Sequence, residues 1–503
     1  MEEYTYSPLP TPTSIRLLHI GKRDDESGLF HCSIKTVDLE DAPWYYAFSY
    51  TWGNPHAEGR KTHAFTKDYH ALQPEYAQDA KKPILCNGKL LHINRNLYDA
   101  FTDVPKDAWT KFINKKNARG FTRLHIYTLA GIPGSIEKLR QLLHSGIDLD
   151  ATDNIGATAI NWAARMGNFE IVKVLVDAGA QIGIPNDDGK TALDYARELK
   201  HAEIIEYLEK TTTELQEPPP LEPAETWAWV DQICINQEDL DERCAQVGLM
   251  NQIYSKSEYT LIWLGRSDTY TTTAITTISK LAPTMERFVK SSIRPYSDST
   301  SEADYLAAGI PYISLREWES LATLFQRQYF RRLWIIQENV LSNIIIAYCG
   351  AIEIPWRDFC VAAQLLELRQ LEMGERVSAK YVPLEQAARC IEDSVVQLCN
   401  WKERWQEGEK AARPRELSEE NLIFDTWHFQ ATDPRDKIYG IHGLLNLGRS
   451  SGMATTTAAV EWKPDYSKSV DQVYAEATKR IITHAHELRI LSAVIDRSSF
   501  LIP

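Results

Sequence analysis

The stretch Trp227–Gly265, which reads WAWVDQICINQEDLDERCAQVGLMNQIYSKSEYTLIWLG, decides the predicted fold. It starts and ends with two short apolar runs, Trp227–Val230 and Tyr259–Leu264. Runs of this length and composition are typical of buried strands, although they do not by themselves exclude a helix. The stretch is therefore predicted to hold two strands of one sheet.

The residues between the two runs have the spacing of a single helix. Val247, Met250 and Tyr254 fall at i, i+3 and i+7, which is one helical face. Asp239 and Asp241 can cap the start of this helix. Two strands joined by a helix of this length predict a βαβ unit in a parallel sheet.

Polar residues follow the first predicted strand directly. In parallel sheets, side chains at the carboxyl ends of the strands line the ligand crevice. The residues expected at that crevice are Asp231, Gln232, Cys234, Asn236 and Gln237.

Composition limits the classes of function. The chain has 503 residues, 44% hydrophobic and 25% charged, which leaves room for two or three domains. A net charge of −14 argues against a nucleic-acid partner. No apolar run approaches the roughly 18 residues of a membrane-spanning helix, and the N-terminus lacks the apolar core of a signal peptide. The eight cysteines have no metal-ligand spacing, so we expect reduced thiols in a cytoplasmic protein without a metal site.

Further strands are predicted before the central stretch. Ile15–Ile20 and Phe30–Val37 are β-prone, and Tyr45–Gly53 (YYAFSYTWG) predicts a strand that runs into a turn. The dipeptide Asn87-Gly88 lies between two apolar runs and predicts a hairpin over Pro83–Ile93.

A repeated pattern separates these strands from the central stretch. Similar hexamers begin at Gly120, Gly156 and Gly189, which are 36 and 33 residues apart. Period and motif resemble the ankyrin repeat, in which a turn is followed by two antiparallel helices. An arbitrary helical insert would show neither the period nor the motif. Three repeats are about the minimum for a stable stack, and such stacks bind other proteins.

Three separated blocks resemble the fungal heterokaryon-incompatibility (HET) domain. They are Tyr45–Gly53, Trp229–Gly265 and Arg332–Ser342 (RLWIIQENVLS). Asp433–Leu445 and Pro464–Tyr474 are similar to segments that follow the domain in that family. The resemblance implies a role in non-self recognition between fungal cells that triggers cell death. The HET domain is in turn similar to Toll/interleukin-1 receptor (TIR) domains, some of which cleave NAD.

The resemblance also implies an α/β fold class and an insertion. We expect a TIR-like or Rossmann-like, mainly parallel sheet flanked by helices, interrupted by an all-α ankyrin insertion and followed by a helical C-terminal extension. Residues 116 and 226 should then lie close together at the surface of the HET core. The predicted segments are a disordered N-terminus (1–13), the HET domain in two parts (14–116 and 227–350), about three ankyrin repeats (117–210), a Pro- and Glu-rich linker (211–226) and a mainly helical C-terminal extension (351–503).

Glu338 is the first candidate catalytic residue. A helix is predicted over Phe330–Leu341, and Trp334 and Glu338 are four residues apart on one of its faces. A carboxylate beside an indole is partly desolvated, which raises its pKa and suits acid/base work or stabilisation of a ribosyl cation. TIR enzymes that cleave NAD use a glutamate in a similar helix. The alternative is a structural glutamate, with Trp334 in the core.

Asp231 is the second candidate catalytic residue. At a strand end it could hold a ribose hydroxyl or orient a base, or it could cap the next helix or pair with Arg243. Cys234 could have a lowered thiol pKa and act as a nucleophile. No histidine accompanies it in the motif, however, which favours a small buried residue.

The turn after the first HET block supplies further candidates for nucleotide binding. Ser49 could donate to a phosphate and Trp52 could stack on a base. The alternative is core packing, together with a glycine at Gly53 that permits a positive φ. The candidate binding residues are Ser49, Trp52, Gly53, Cys234 and Trp334.

Two functions remain open from the sequence. The first is an enzyme that cleaves NAD or a related nucleotide, in which NAD is the substrate and no cofactor is assigned. The second is a non-enzymatic adaptor that acts by self-association and ankyrin-mediated protein binding. Both imply a protein partner for the repeats and a homo-oligomer. Arg435 and Asp436 are expected to form a structural ion pair.

Overall fold

The computed structural model describes residues 1–56, 76, 80–130, 135–143, 146–213, 226–291, 293, 300–370, 395–402, 419–447 and 463–485. Most of the predicted linker 211–226 lies outside these residues. The chain divides into two compact units, one formed by Met1–Val104 together with Trp227–Pro503 and the other by Pro105–Thr226. The first unit is thus built from chain on both sides of the second.

The first unit is organised around one mixed sheet. Its described strands are β1 Ser14–Arg23, β2 Phe30–Asp38, β3 Tyr45–Tyr50, β4 Lys81–Cys86, β5 Lys89–Asn94, β6 Trp227–Trp229, β7 Thr260–Trp263, β8 Ile345–Cys349 and β9 Ile352–Ile354. They lie in the order β5-β4-β2-β1-β6-β3-β7-β8-β9.

The central strands β6, β3, β7 and β8 are mutually parallel. The strand β1 runs antiparallel to both β2 and β6, and the pairs β4–β5 and β8–β9 are also antiparallel. The strands β2 and β4 are parallel as well, so the sheet is mixed, and the predicted run of consecutive parallel strands is found only at its centre. The sheet also continues past residue 350, because β9 pairs with β8 and the predicted domain boundary cuts this hairpin.

The strand β3 lies between the two strands of the predicted βαβ unit. Ala47 of β3 is in register with Trp229 of β6 on one side and with Thr260 of β7 on the other. Every residue of β6 and β7 is buried, and such continuous burial is typical of parallel strands covered on both faces. Chain from before and after the second unit is thereby interleaved in one sheet.

Helices make up most of the remaining described chain. In order they are α1 Arg95–Asp103, α2 Ala108–Ile113, α3 Arg123–Ala130, α4 Ser135–Leu143, α5 Ala159–Met166, α6 Phe169–Asp177, α7 Ala192–Leu199, α8 Ala202–Thr213, α9 Asp231–Cys234, α10 Leu240–Lys256, α11 Thr271–Leu281, α12 Met285–Lys290, α13 Glu302–Ala307, α14 Leu315–Phe325, α15 Ile335–Val340, α16 Trp356–Gln370, α17 Glu419–Asp425, α18 Asp436–Leu447 and α19 Val470–Ala485. None of the helices in the described ranges is long and apolar enough to cross a membrane.

The described residues of the second unit form three helix pairs, α3–α4, α5–α6 and α7–α8. Each pair follows a tight turn at Gly120, Gly156 or Gly189, whose φ angles are 78°, 72° and 77°. A residue with a Cβ is strained in this left-handed region, which explains the repeated glycine. Thr158 and Thr191 then cap α5 and α7 by accepting from backbone N–H groups.

The N-terminal residues are ordered, although the sequence predicted disorder. The backbone N–H of Tyr4 donates to Leu90 O at 2.7 Å, and Leu90 N–H donates to Glu2 O at 2.8 Å. The Tyr6 hydroxyl donates to Ile233 O at 2.9 Å. The first residues thus cover the outer edge of β5, and this pairing supplies the order that the local composition does not.

The predicted helix Phe330–Leu341 is interrupted. A 3₁₀ turn covers Gln328–Arg331, and α15 begins only at Ile335. Between them, Leu333 N–H donates to Gln430 O at 2.9 Å and Gln430 N–H donates to Arg331 O at 2.5 Å. The N–H of Leu333 and the carbonyl of Arg331 therefore bond to a distant segment and not within a continuous helix.

Candidate functional site

A buried cluster lies near the carboxyl ends of β3 and β6. The Ser49 hydroxyl, one residue before the end of β3, donates to the carboxylate of Glu338 on α15. It also lies 2.7 Å from the Tyr329 hydroxyl. Ser49 and Glu338 are only 1% and 2% exposed. Two of the predicted site residues, 289 positions apart in the chain, are therefore in direct contact.

Arg332 is the cation that faces Glu338. Its Nη2 lies 3.5 Å from Glu338 Oε1, which is at the outer limit of a hydrogen bond. Its Nη1 is buried and makes no hydrogen bond to any residue that the structure describes. A guanidinium can bind a carboxylate through two parallel bonds, so this pair is loose.

Burial dominates the electrostatics of Glu338. Its pKa is raised from 4.5 to about 7, mainly because desolvation disfavours the charged form. The Arg332 charge and the Ser49 hydrogen bond lower this pKa, and the Asp231 charge raises it. The carboxyl group can therefore exchange a proton near neutral pH, which suits general acid/base chemistry or the stabilisation of a cation.

Asp231 lies beside this pair, two residues after the end of β6 and at the start of the short helix α9. Its Oδ2 accepts a hydrogen bond from Trp52 Nε1 at 2.8 Å. Burial raises the pKa of Asp231, whereas the Arg332 charge and the Trp52 hydrogen bond lower it. Trp52 is 41% exposed, so its indole forms the outer side of the cluster. One charge, Arg332, thus acts on both predicted catalytic carboxylates.

Arg332 and Tyr329 did not emerge from the sequence as site residues. A separation of six residues puts Arg332 and Glu338 on different faces of a continuous helix. They meet because the helix is broken between them. Gln430 pairs with the chain at this break, and no local signal reveals such a distant contact.

Trp334 has another partner than the one expected. Its Nε1 donates to Asp436 Oδ2 at 3.1 Å, and it stands at the N-cap position of α15. Its contact with Glu338 is a backbone hydrogen bond of 3.2 Å, from Glu338 N–H to Trp334 O. The expected role of this indole at the nucleotide is therefore not supported by its hydrogen bonding.

Cys234 is a core residue. It has no exposed surface, and its Sγ accepts from Val230 N–H at 3.3 Å. Burial raises its thiol pKa to about 12, so no nucleophilic thiolate is present at neutral pH. Gly53 does not have a positive φ, and an added Cβ would meet nothing within 4 Å. The backbone therefore does not require glycine at this position.

Arg435 and Arg243 form ion pairs with other carboxylates than the sequence predicted. Arg435 binds Asp433 at 2.7 Å and not the neighbouring Asp436. Arg243 also approaches Asp433, at 3.4 Å, and is not the partner of Asp231. Within the described ranges, no group of three or more His, Cys, Asp or Glu side chains is arranged to hold a metal ion.

Known proteins match two parts of the chain. The sequence model described as Heterokaryon incompatibility protein (HET) matches residues 189–338, and the one described as Ankyrin repeats (3 copies) matches residues 114–216. The first match includes Asp231 and ends at Glu338. The Heterokaryon incompatibility protein 6, OR allele, of Neurospora crassa is 29% identical over 143 residues. That similarity covers 24% of this chain and only 20% of the relative.

Proposed function

Because the chain contains a heterokaryon-incompatibility domain and ankyrin repeats, we propose that it is an effector of fungal non-self recognition that triggers cell death. In this proposal the HET domain comprises residues 14–116 and 227–350, and the ankyrin module is inserted between them. The repeats bind a partner protein, and the HET domain delivers the response after self-association.

We further propose that the HET domain hydrolyses NAD. The observation that carries this proposal is the buried Glu338 carboxyl group, with its pKa raised to about 7, in contact with Ser49 and Arg332. Two separate blocks of sequence supply these three groups, since Ser49 lies in the first block and both Arg332 and Glu338 lie in the third. Such a proton-exchanging carboxyl group in a polar cluster is typical of an active site.

The proposed roles follow from the chemistry of the groups. The bond between nicotinamide and ribose C1′ breaks, and neutral nicotinamide leaves with the bonding electron pair. The Glu338 carboxylate stabilises the ribosyl cation, and water adds to C1′ with release of a proton. Asp231 holds a ribose hydroxyl and Trp52 stacks on a base.

Glu338 is almost fully buried, so a nucleotide can reach it only after a rearrangement. The exposed Trp52 is the side chain that we expect to move, because its displacement uncovers Asp231. Self-association is the expected trigger for this movement. Turnover is therefore predicted for concentrated or cross-linked protein.

The test is the release of nicotinamide from NAD by purified, concentrated protein. We expect wild-type turnover and a loss of roughly 100-fold or more in Glu338→Gln, since a positioned acid/base group contributes about 10²–10⁴-fold. The matched control is Glu353→Gln, which changes an exposed carboxylate of β9 and should keep full turnover. Equal turnover in Glu338→Gln, or none in folded and self-associated wild type, would refute NAD hydrolysis at Glu338.

The adaptor alternative is favoured by the burial of the HET motifs. Trp229 and Trp263 have no exposed surface, as expected of residues that determine the fold. The ankyrin unit, in contrast, exposes Met166 and Leu199 at equivalent ends of neighbouring helices, α5 and α7. If Glu338→Gln still kills fungal cells while Met166→Glu does not, the adaptor explanation is correct and the enzyme explanation is wrong.

A further inference from the structure

The helix α15, which carries Glu338, is too short to hold its own orientation. It spans Ile335–Val340, only six residues, whereas isolated helices shorter than about 12 residues are marginal in water. The α-helix does not extend back through residues 332–334, because Gln430 binds the backbone of Arg331 and Leu333. The position of Glu338 must therefore be set by contacts from other elements.

The helix α18 provides one set of these contacts through two glycines. An added Cβ at Gly440 would lie 2.8 Å from Leu333 Cδ2, and one at Gly443 would lie 2.9 Å from Asn251 Cβ and closer still to Gln337. The Gln337 side chain fits against this face and donates from Nε2 to Gly440 O at 2.7 Å. The residue directly before Glu338 is thereby anchored to α18.

Asp436, at the start of α18, provides a second anchor. One oxygen accepts from Trp334 Nε1 at 3.1 Å, and the other accepts from the Tyr466 hydroxyl at 2.6 Å. Arg243 of α10 lies over the Tyr466 ring at 3.9 Å and fixes that tyrosine. Trp334 is thus linked through Asp436 and Tyr466 to Arg243, and a rotation of the Trp334 side chain would break its hydrogen bond to Asp436.

We propose that Gln430, α18 and Tyr466, which we name the clasp, position Glu338 against Ser49 and Arg332. The proposal rests on the proposed function of Glu338, because the positioning matters for hydrolysis only if Glu338 is the reacting carboxylate. Gln430 holds the backbone around Arg332, and α18 holds α15. The clasp thereby sets both sides of the Arg332–Glu338 pair.

The first test widens the space between the two helices. Gly443→Ala places a methyl group against Gln337, whereas the control Gly183→Ala adds the same group where nothing lies within 4 Å. We expect amide hydrogen exchange in residues 331–341 to accelerate about tenfold in Gly443→Ala and to stay unchanged in the control. Exchange in β3 and β7 should not change. Unchanged exchange in 331–341 would overturn the proposal.

Turnover gives the readout that distinguishes positioning from general stability. Trp52 and Asp231 do not contact α18 through any hydrogen bond among the described residues, so nucleotide binding should persist. In Gly443→Ala we expect kcat to fall about tenfold while KM for NAD changes less than twofold. A fall in kcat/KM that comes from KM alone would contradict a positioning role.

Tyr466→Phe tests the positioning role of the clasp if Gly443→Ala does not fold. It removes only the hydroxyl that binds Asp436 and keeps the ring beneath Arg243. We expect faster exchange in residues 331–341 and a lower kcat, and wild-type values for both would overturn the proposal. If the wild-type protein shows no turnover, NAD hydrolysis is refuted. Hydrogen exchange in residues 331–341 then still tests whether the clasp positions α15.

Discussion

Two arginine–glutamate pairs in the sheet-containing unit, each with a buried glutamate side chain, differ in how completely they are bonded. Arg16 binds both carboxylate oxygens of Glu242, at 2.5 and 2.9 Å. Its guanidinium also donates to Cys234 O at 3.0 Å and to Ser7 O at 2.7 Å. Arg332 reaches Glu338 at a single distance of 3.5 Å. The Nη1 of Arg332 makes no hydrogen bond within the described chain.

The difference separates a fully hydrogen-bonded ion pair from an incompletely bonded one. A bidentate, fully hydrogen-bonded pair compensates for the desolvation of both charges and leaves neither group free. The loose pair compensates only in part, and the pKa of Glu338 accordingly remains raised to about 7. Incomplete bonding of a buried carboxyl group costs stability and leaves it able to react.

Removal of one carboxylate from each pair should give the largest difference. Glu242→Ala leaves Arg16 buried without a counter-charge, and we expect a loss of about 3–5 kcal/mol in the free energy of unfolding. Glu338→Ala should cost less, because its carboxyl group is already poorly compensated. Urea denaturation followed by tryptophan fluorescence measures both losses. Equal losses would show that the two pairs are equivalent.

The stability of the loose pair should depend on pH. The folded pKa of Glu338, about 7, lies above its usual 4.5, so the folded state binds this proton more tightly. The tighter binding of this proton stabilises the folded state fully below about pH 4.5. This contribution to the free energy of unfolding, about 3 kcal/mol, is lost as the pH rises through 7.

Glu338→Gln lacks this titration, and its stability relative to wild type should therefore rise between about pH 5 and 8. Asp436 also has a raised pKa, of about 6, but it is present in both proteins and cancels. Urea denaturation at both pH values measures the difference. A difference that is constant across this range would contradict the raised pKa of Glu338.

Substitution of each arginine by lysine should destabilise the two pairs to different extents. Arg16→Lys removes a bidentate pair and two bonds to carbonyl groups, at an expected cost of about 1.5–3 kcal/mol. Arg332→Lys removes only one weak contact, so we expect a cost below about 1 kcal/mol. Thermal unfolding of both variants tests the order. A larger loss for Arg332→Lys would reverse our interpretation of the two pairs.

The smallest change in stability is expected at the rim of the cluster. Trp52→Phe removes the N–H that binds Asp231, but an indole that is 41% exposed should alter stability by less than about 0.5 kcal/mol. The pKa of Asp231 should rise, because this hydrogen bond lowers it. We expect Trp52→Phe to raise the KM for NAD. Tyr312 is equally exposed, and the control Tyr312→Phe should leave KM unchanged.

Local patterns predicted the elements that local physics determines. The apolar runs gave β6 and β7, the dipeptide Asn87-Gly88 gave the hairpin β4–β5, and the glycine period gave the helix pairs of the second unit. Each of these patterns specifies its structure through neighbouring residues. The direct contact between Ser49 and Glu338 agrees with the expectation that the HET blocks converge.

The errors arose where distant segments pair. The break before α15 depends on Gln430, about 100 residues downstream, and the order of residues 1–6 depends on β5 and Ile233. The antiparallel orientation of β1 in the sheet likewise follows from its pairing with the distant strand β6. A single sequence contains no local signal for such contacts, and for the same reason Arg332 was missed as a site residue.

The pH dependence of nicotinamide release tests most directly whether the loosely paired carboxylate does the chemistry. We expect kcat/KM for NAD to rise with pH, with an apparent pKa of about 7 that belongs to Glu338. Arg332→Gln should move this pKa upward, because the Arg332 charge lowers it. A value of kcat/KM that stays constant between about pH 6 and 8, or an apparent pKa that Arg332→Gln leaves unchanged, would contradict the proposed role of Glu338.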